Sequence, residues 1–63
     1  MFKKFLYVPD NGIGICPAVL VGEENGLAVI WKVINGIVLE RVVYFENLIK
    51  IEEEQWEQMS QML

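Results

Sequence analysis

The densest group of side chains that could do chemistry is a set of four glutamates near the end of the chain: Glu52, Glu53, Glu54 and Glu57. Carboxylates this close together could bind a metal ion or act as a general acid and base. Catalysis by carboxylates also needs a concave, partly dry pocket, and a chain of 63 residues has little room for one. We therefore interpret the glutamates as the solvated side of a helix, and we expect a protein that is not an enzyme.

Two further signals for chemistry are weak. The segment Gly12-Ile13-Gly14 matches a fragment of the sequence pattern of phosphate-binding loops. A third glycine and a P-loop lysine are missing, so we interpret its glycines as turn residues. Cys16 is the single cysteine, and the chain has no histidine. With no basic neighbour in sequence to lower its pKa, Cys16 is predicted to be a small buried hydrophobe in a reducing compartment. We expect no cofactor and no metal.

Nucleic-acid binding is an alternative function. Trp31 could stack on bases, and four cations could contact phosphates: Lys3, Lys4, Lys32 and Arg41. However, five basic residues against nine acidic ones leave a net charge of −4, whereas nucleic-acid binders usually carry a basic stripe. We predict that Trp31 and Tyr44 pack in the core and that nucleic acid is not the partner. Mimicry of nucleic acid by the acidic residues is a further alternative.

The apolar segments are too short for export or membrane insertion. The run Phe5 to Val8 stops at Pro9, short of the apolar core of a signal peptide. No stretch approaches the roughly 20 apolar residues that span a bilayer. We expect a cytoplasmic protein without a membrane partner.

Three Asn-Gly pairs divide the first part of the chain: Asn11-Gly12, Asn25-Gly26 and Asn35-Gly36. Each lies between apolar, β-branched runs, and both residues tolerate the positive φ of a type I′ turn. The pattern predicts an antiparallel meander. We place its strands at about Phe2–Val8, Ile13–Glu23, Leu27–Ile34 and Ile37–Phe45, with a short fifth strand at Leu48–Ile51.

The last twelve residues, 52–63, have the composition of a helix. They contain no glycine, proline or β-branched residue and are rich in Glu, Gln and Met. Trp56, Met59 and Leu63 fall on one helical face, which must dock because a helix this short is marginal alone. We predict one domain, residues 1–63, made of a β part (1–51) and a C-terminal helix (52–63).

Two-residue turns predict which residues share a face of the sheet. In the last hairpin, Ile34 should lie opposite Ile37 and Trp31 opposite Glu40. One face then carries Trp31, and the other carries Ile30, Lys32, Leu39 and Arg41. Both faces are apolar, whereas a half-exposed antiparallel sheet alternates apolar and polar residues. We expect the Trp31 face to be the better core face, with a possible bulge at Pro17 blurring the assignment.

The order of elements resembles the SH3-like small β-barrels of the Tudor and KOW type. The resemblance depends on four curled strands followed by a turn and a short last strand, in the segment Val43-Tyr44-Phe45-Glu46-Asn47-Leu48-Ile49-Lys50-Ile51. It implies a mainly β fold closed into a barrel, and no function, because such barrels serve many. The alternative architecture is a plain sheet of four or five strands with a helix across one face.

Together these observations predict a small, acidic, non-enzymatic protein-binding module. It would act by stoichiometric contact, as an adaptor, a complex subunit or an inhibitor such as those that phages encode. A homodimer is the favoured assembly and a hetero-complex is second, because one helix cannot cover both apolar faces. We predict that the partner-binding residues are Ile30, Lys32, Leu39, Arg41, Trp56 and Met59. Docking of Trp56 on the protein's own sheet is equally compatible with the sequence.

Overall fold

The computed structural model describes residues 3–62, which form one antiparallel sheet and a C-terminal helix. The strands are β1 (Lys3–Tyr7), β2 (Cys16–Glu24), β3 (Leu27–Ile34), β4 (Ile37–Val43) and β5 (Leu48–Lys50). A 3₁₀ turn at Phe45–Asn47 connects β4 to β5, and helix α1 spans Glu53–Met62. The predicted strands and helix are confirmed to within a few residues; Phe2 and Leu63, their outermost predicted members, lie outside the described residues.

Two of the three Asn-Gly pairs form the predicted hairpin turns. Asn25 and Gly26 have φ values of 52° and 81°, and Asn35 and Gly36 have 52° and 75°. Left-handed φ at both central residues is the geometry of a type I′ turn, whose twist matches that of the flanking strands. These turns therefore join β2 to β3 and β3 to β4 directly.

The first Asn-Gly pair does not form such a turn, contrary to the prediction. Here the chain turns at Pro9, whose carbonyl accepts a hydrogen bond from the Gly12 N–H at 2.9 Å. The Asn11 side chain accepts another from the Ile13 N–H at 2.9 Å, which is an Asx turn. The result is a loop over residues 8–15, and the strands resume with Tyr7 opposite Cys16, the register that the turn arithmetic implies.

The strand order is β4-β3-β2-β1-β5. The predicted β3–β4 register is confirmed from Ile34↔Ile37 through Trp31↔Glu40. Between β2 and β3 the register shifts, because Gly22 faces Val29 but Leu20 faces Ile30. Val21 is thus the extra residue of a bulge, four positions from the Pro17 bulge that we considered. The shift moves Ala18 and Leu20 onto the face of Ile30.

The sheet is not closed into a barrel, which corrects the expectation drawn from the SH3-like resemblance. Closure would require the two outermost strands, β4 and β5, to pair with each other. Within residues 3–62, β4 pairs with β3 and β5 pairs with β1, and they remain at opposite edges. Five strands with a helix across one face, the alternative architecture, describe the structure.

The core lies on one face of the sheet, which we call the core face. Its buried apolar cluster is Ala18, Ala28 and Ile30, and Tyr7, Leu20, Val43 and Leu48 pack against it. Two of the three buried residues are alanines, so the centre of the core contributes little apolar volume. The opposite face, which carries Lys4, Val19 and Trp31 in register, is the helix face.

Helix α1 docks on β1 and β2 at the helix face. The indole Nε1 of Trp56 donates a hydrogen bond to the Ala18 carbonyl at 3.0 Å. Lys4 extends across the helix, with its Nζ 4.9 Å from the Trp56 ring centroid and 2.8 Å from Glu53 Oε1. Pro17 becomes fully buried beneath these contacts. Among residues 3–62, the main contacts of the helix on this face are with β1 and β2, and Val38 and Val42 of β4 stay about half exposed.

Candidate functional site

The uncovered part of the helix face forms an apolar surface on the β3–β4 hairpin. By alternation, Val29, Trp31 and Val33 of β3 share this face with Val38 and Val42 of β4, and we call these five residues the hairpin patch. Trp31 is 37% exposed, Val38 56% and Val42 49%, while the other two are half-buried. This corrects our prediction that the Trp31 face is the better core face.

One carboxylate lies within the hairpin patch. Glu40 faces Trp31 across the strands, and its Oε1 accepts a hydrogen bond from the indole Nε1 at 3.0 Å. The bond satisfies the indole N–H, and Glu40 gives the otherwise apolar patch one negative charge. The patch therefore suits an apolar surface of another protein better than it suits a phosphate backbone.

Ile30, the first predicted partner-binding residue, has no exposed side chain. It lies at the centre of the core face, so it cannot contact a partner in the folded protein. The prediction took the face of Ile30 as the open one because it assumed an unbroken β2–β3 register. The bulge at Val21 instead brings Ala18 and Leu20 onto that face, where they cover Ile30.

The other three strand residues on the list lie on the core face near the edge of the sheet. Lys32 faces Leu39 across the strands, and both are half-buried. The Lys32 ammonium lies 5.3 Å from the Tyr7 ring centroid, a cation–π contact within the chain. Arg41 is exposed and donates a hydrogen bond to the Glu40 carbonyl at 2.7 Å.

The two helix residues on the list lie against the protein's own sheet. Trp56 is held by the Ala18 carbonyl and by Lys4, as described above. Met59 is half-buried and lines a cavity with Leu6, Ile51 and two glutamines of the helix. Of the two roles that the sequence left open for Trp56, the structure shows intramolecular docking.

A second concave region lies at the other end of the sheet, between the 3₁₀ turn and the end of β1. It has a volume of about 310 Å³ and is lined by Tyr7, Asp10, Leu27, Val42, Val43, Tyr44 and Asn47. Asn47 is the buried polar residue here, and its Nδ2 donates to the Val8 carbonyl and to Asp10 Oδ1, both at 2.8 Å. Tyr44 is largely exposed rather than packed in the core, contrary to our prediction.

The carboxylates and the thiol that could do chemistry take structural positions in the fold. Glu53 forms an ion pair with Lys4. Among the described residues, no group of three or more His, Cys, Asp or Glu side chains is placed to hold a metal ion. Cys16 is buried, as predicted. Burial raises the pKa of its thiol, although the Lys32 ammonium acts in the opposite direction, so Cys16 is held in its less nucleophilic form.

Comparisons with known proteins find no counterpart: no family model, curated protein or solved structure matches the chain. None of the helical structure within residues 3–62 has both the length and the apolar character to cross a bilayer.

Proposed function

We propose that this protein is a non-enzymatic protein-binding module that acts by stoichiometric contact through the hairpin patch. The observation that carries the proposal is the exposure of Trp31, Val38 and Val42 on a sheet face that α1 leaves uncovered. Monomeric proteins rarely expose contiguous apolar patches larger than a few hundred Å², and patches above that size are typical of interaction surfaces. Tryptophan is also the residue type most enriched among the hot spots of interfaces.

The size of the surface supports the same interpretation. The chain exposes 4573 Å², against roughly 4,200 Å² for a folded monomer of this mass. Its radius of gyration, 10.8 Å, is close to the roughly 10.6 Å of a compact chain of 63 residues. The additional surface therefore does not come from an extended shape.

The charges also favour a protein partner over nucleic acid. Lys4 is engaged by Glu53 and Lys32 lies over Tyr7, so two of the cations proposed for phosphate contact have partners within the chain. An adaptor, a complex subunit and an inhibitor that masks another protein, such as one encoded by a phage, all agree with one apolar patch on a small acidic domain. We place this activity in the cytoplasm.

Affinity capture with patch variants tests the proposal. Immobilised wild-type protein is expected to retain a protein from a lysate of its source organism at a fixed molar ratio. The double variant Val38→Asp/Val42→Asp places charges in the hairpin patch and is expected to reduce that retention at least tenfold. Ile49→Asp is the matched control, because Ile49 is similarly exposed but lies on β5 at the opposite edge.

Circular dichroism and a urea titration must show that all three proteins are folded before their capture is compared. Equal retention by the wild type and the double variant would remove the hairpin patch as the binding surface. Failure to retain any protein at a fixed ratio would remove the proposed function itself.

A further inference from the structure

Strand β4 forms an open edge of the sheet along seven residues. It pairs with β3 on one side, and within residues 3–62 no strand lies on its other side. Natural edge strands are usually protected by lysine, proline, a bulge or very short length. Charged side chains also protect edges, and the sequence of β4, Ile-Val-Leu-Glu-Arg-Val-Val, has one adjacent pair of them, Glu40 and Arg41. It has neither lysine nor proline, and its register with β3 is unbroken. The opposite edge, β5, has three residues.

The register shows which backbone groups of β4 point outward. A two-residue hairpin closes on a hydrogen-bonded pair, here Ile34 and Ile37, and such pairs then recur at every second residue. Leu39, Arg41 and Val43 therefore direct their N–H and C=O groups towards β3. Val38, Glu40 and Val42 direct theirs away from the sheet, where another strand can bind them.

We propose that a second copy of this chain pairs with that edge, β4 antiparallel to β4, around a two-fold axis at Leu39. The two five-stranded sheets then form one continuous sheet of ten strands. The inference depends on the backbone of β4 and not on the proposed function, which uses the side chains of the hairpin patch.

Symmetry leaves three registers for such a pair. A two-fold axis perpendicular to the sheet relates the two copies of β4, and residues that lie opposite each other point to the same face of the sheet. The axis therefore passes between one residue and the same residue of the second copy. Axes at Leu39, Glu40 and Arg41 are the ones that pair at least five residues of β4. Axes at Glu40 or Arg41 would set two like charges directly opposite each other, which is destabilising.

The register centred on Leu39 avoids both like-charge pairs. It sets Leu39 against Leu39 of the second copy and Val38 against Glu40 of the second copy, joined by the outward backbone groups. It also sets Ile37, which is 60% exposed, against Arg41 of the second copy, whose aliphatic stem can cover it. The charge pattern of β4 therefore selects one of the three registers.

Disulfide trapping reads the register directly. In the proposed pair the two Leu39 residues form a non-hydrogen-bonded pair with Cα atoms about 4.5 Å apart, within the span of a disulfide. Leu39→Cys is expected to give a covalent dimer under mild oxidation, at least fivefold more than Ile37→Cys or Val42→Cys, which keep both charges of β4 and do not lie opposite themselves in this register. The wild type, whose Cys16 is buried, controls for linkage through the native thiol.

Each alternative outcome of the trapping has a definite meaning. A dimer formed best by Ile37→Cys or Val42→Cys would overturn the Leu39 register. Equal, low yields from all three variants would indicate random collision and overturn pairing along β4. Leu39 is half-buried, so circular dichroism must show that its variant is folded.

A second measurement keeps the proposal testable if Leu39→Cys fails to fold. Light scattering of the wild type at rising concentration is expected to show the mass approaching twice 7.3 kDa. Val38→Pro removes one outward N–H without removing a bond to β3, and it is expected to stay monomeric. Val38→Thr keeps the N–H and is expected to associate like the wild type.

A wild type that stays monomeric, or a Val38→Pro variant that associates equally well, would overturn the proposal. A wild type that scatters as a monomer but still retains the lysate partner would overturn pairing along β4 and leave the proposed function standing. The two proposals can therefore fail separately.

Discussion

At the scale of single residues, Asn47 connects two strands that are adjacent in the sheet but far apart in the chain, β1 and β5. Its side-chain amide donates to the Val8 carbonyl and to Asp10 Oδ1, and its own carbonyl accepts from the Val8 N–H at 2.8 Å. Its backbone N–H donates to the Tyr44 carbonyl at 3.0 Å, which closes the 3₁₀ turn. One buried amide thus holds the end of β1 against the entry to β5.

Replacing Asn47 should therefore destabilise the whole domain. Asn47→Ala leaves the Val8 carbonyl without its side-chain donor at a buried position, which should lower the free energy of unfolding by about 1–3 kcal/mol. Urea denaturation measures the loss. Asp10→Ala, which removes one exposed acceptor of the same amide, is the control and should cost less. Equal losses would mean that the bond to Val8 contributes nothing.

The ion pair between Lys4 and Glu53 makes the docking of α1 depend on pH. The hydrogen bond from Lys4 holds the pKa of Glu53 below its ordinary value of 4.5, and the same bond raises the pKa of Lys4 above 10.5. The pair therefore adds stability above pH 4.5 that is lost as the pH falls through the lowered pKa of Glu53. The contribution of Lys4 is lost as the pH rises through its raised pKa.

Glu53→Gln isolates the acidic part of this dependence. The variant should be less stable than the wild type at neutral pH, and the difference should shrink as the pH falls below 4.5. Urea titrations of both proteins between pH 2 and pH 7 measure it. Glu54→Gln removes the same charge from an exposed neighbour and is the matched control. A difference that stays constant with pH would contradict the assignment.

At the scale of elements, the glycine of a hairpin turn and the glycine at the β2 bulge differ in backbone conformation. Gly36 has a φ of 75°, in the left-handed region that L side chains rarely adopt. Gly22, at the β2 bulge, has ordinary strand geometry, and an added Cβ would lie 4.0 Å from the Val29 side chain. The turn therefore needs a glycine, whereas the bulge tolerates a side chain.

Alanine at the two glycines should have opposite effects. Gly36→Ala should destabilise the domain by roughly 1–2 kcal/mol, the cost of a side chain in the left-handed conformation. Gly22→Ala should be neutral or slightly stabilising, because it restricts the unfolded chain. Thermal melts of both variants measure the difference. A loss from Gly22→Ala as large as that from Gly36→Ala would show that the bulge, too, depends on glycine.

At the scale of the whole molecule, a thin core is combined with an uncovered face. The buried apolar cluster contains two alanines and one isoleucine, and domains below 70–80 residues rarely gain more than about 3–5 kcal/mol from a single core. Association of two copies along β4 would add stability by mass action, since unfolding would then be coupled to dissociation.

The thermal midpoint of the wild type should therefore rise with protein concentration. An increase of several degrees over a hundredfold range is expected for a chain of this length, measured by circular dichroism. Val38→Pro, which should not dimerise, is expected to keep the same thermal midpoint over this range of protein concentration. A wild-type midpoint that does not change with concentration would contradict coupled unfolding.

Local features of the sequence predict most of the elements. The pairs Asn25-Gly26 and Asn35-Gly36 specify their turns because both residues accept left-handed φ, and the register of β3 with β4 follows by counting. The helix follows from a terminal segment without β-branched residues. The same counting failed at Asn11-Gly12, where Pro9 and the Asn11 side chain form a different turn.

The tertiary structure alone decided which face is covered. Both faces of the sheet are apolar, so the side-chain pattern could not show that Ile30 is buried and Trp31 exposed. That outcome depends on the Val21 bulge, on the open curl of the sheet and on the docking of Trp56 over β1 and β2. The Trp56–Ala18 contact joins residues 38 positions apart, and the bulge depends on how the two strands of a hairpin pack, whereas the turns depend on adjacent residues. The sequence by itself thus determined the hairpins and the helix, and the long-range contacts determined the surface that the protein offers to a partner.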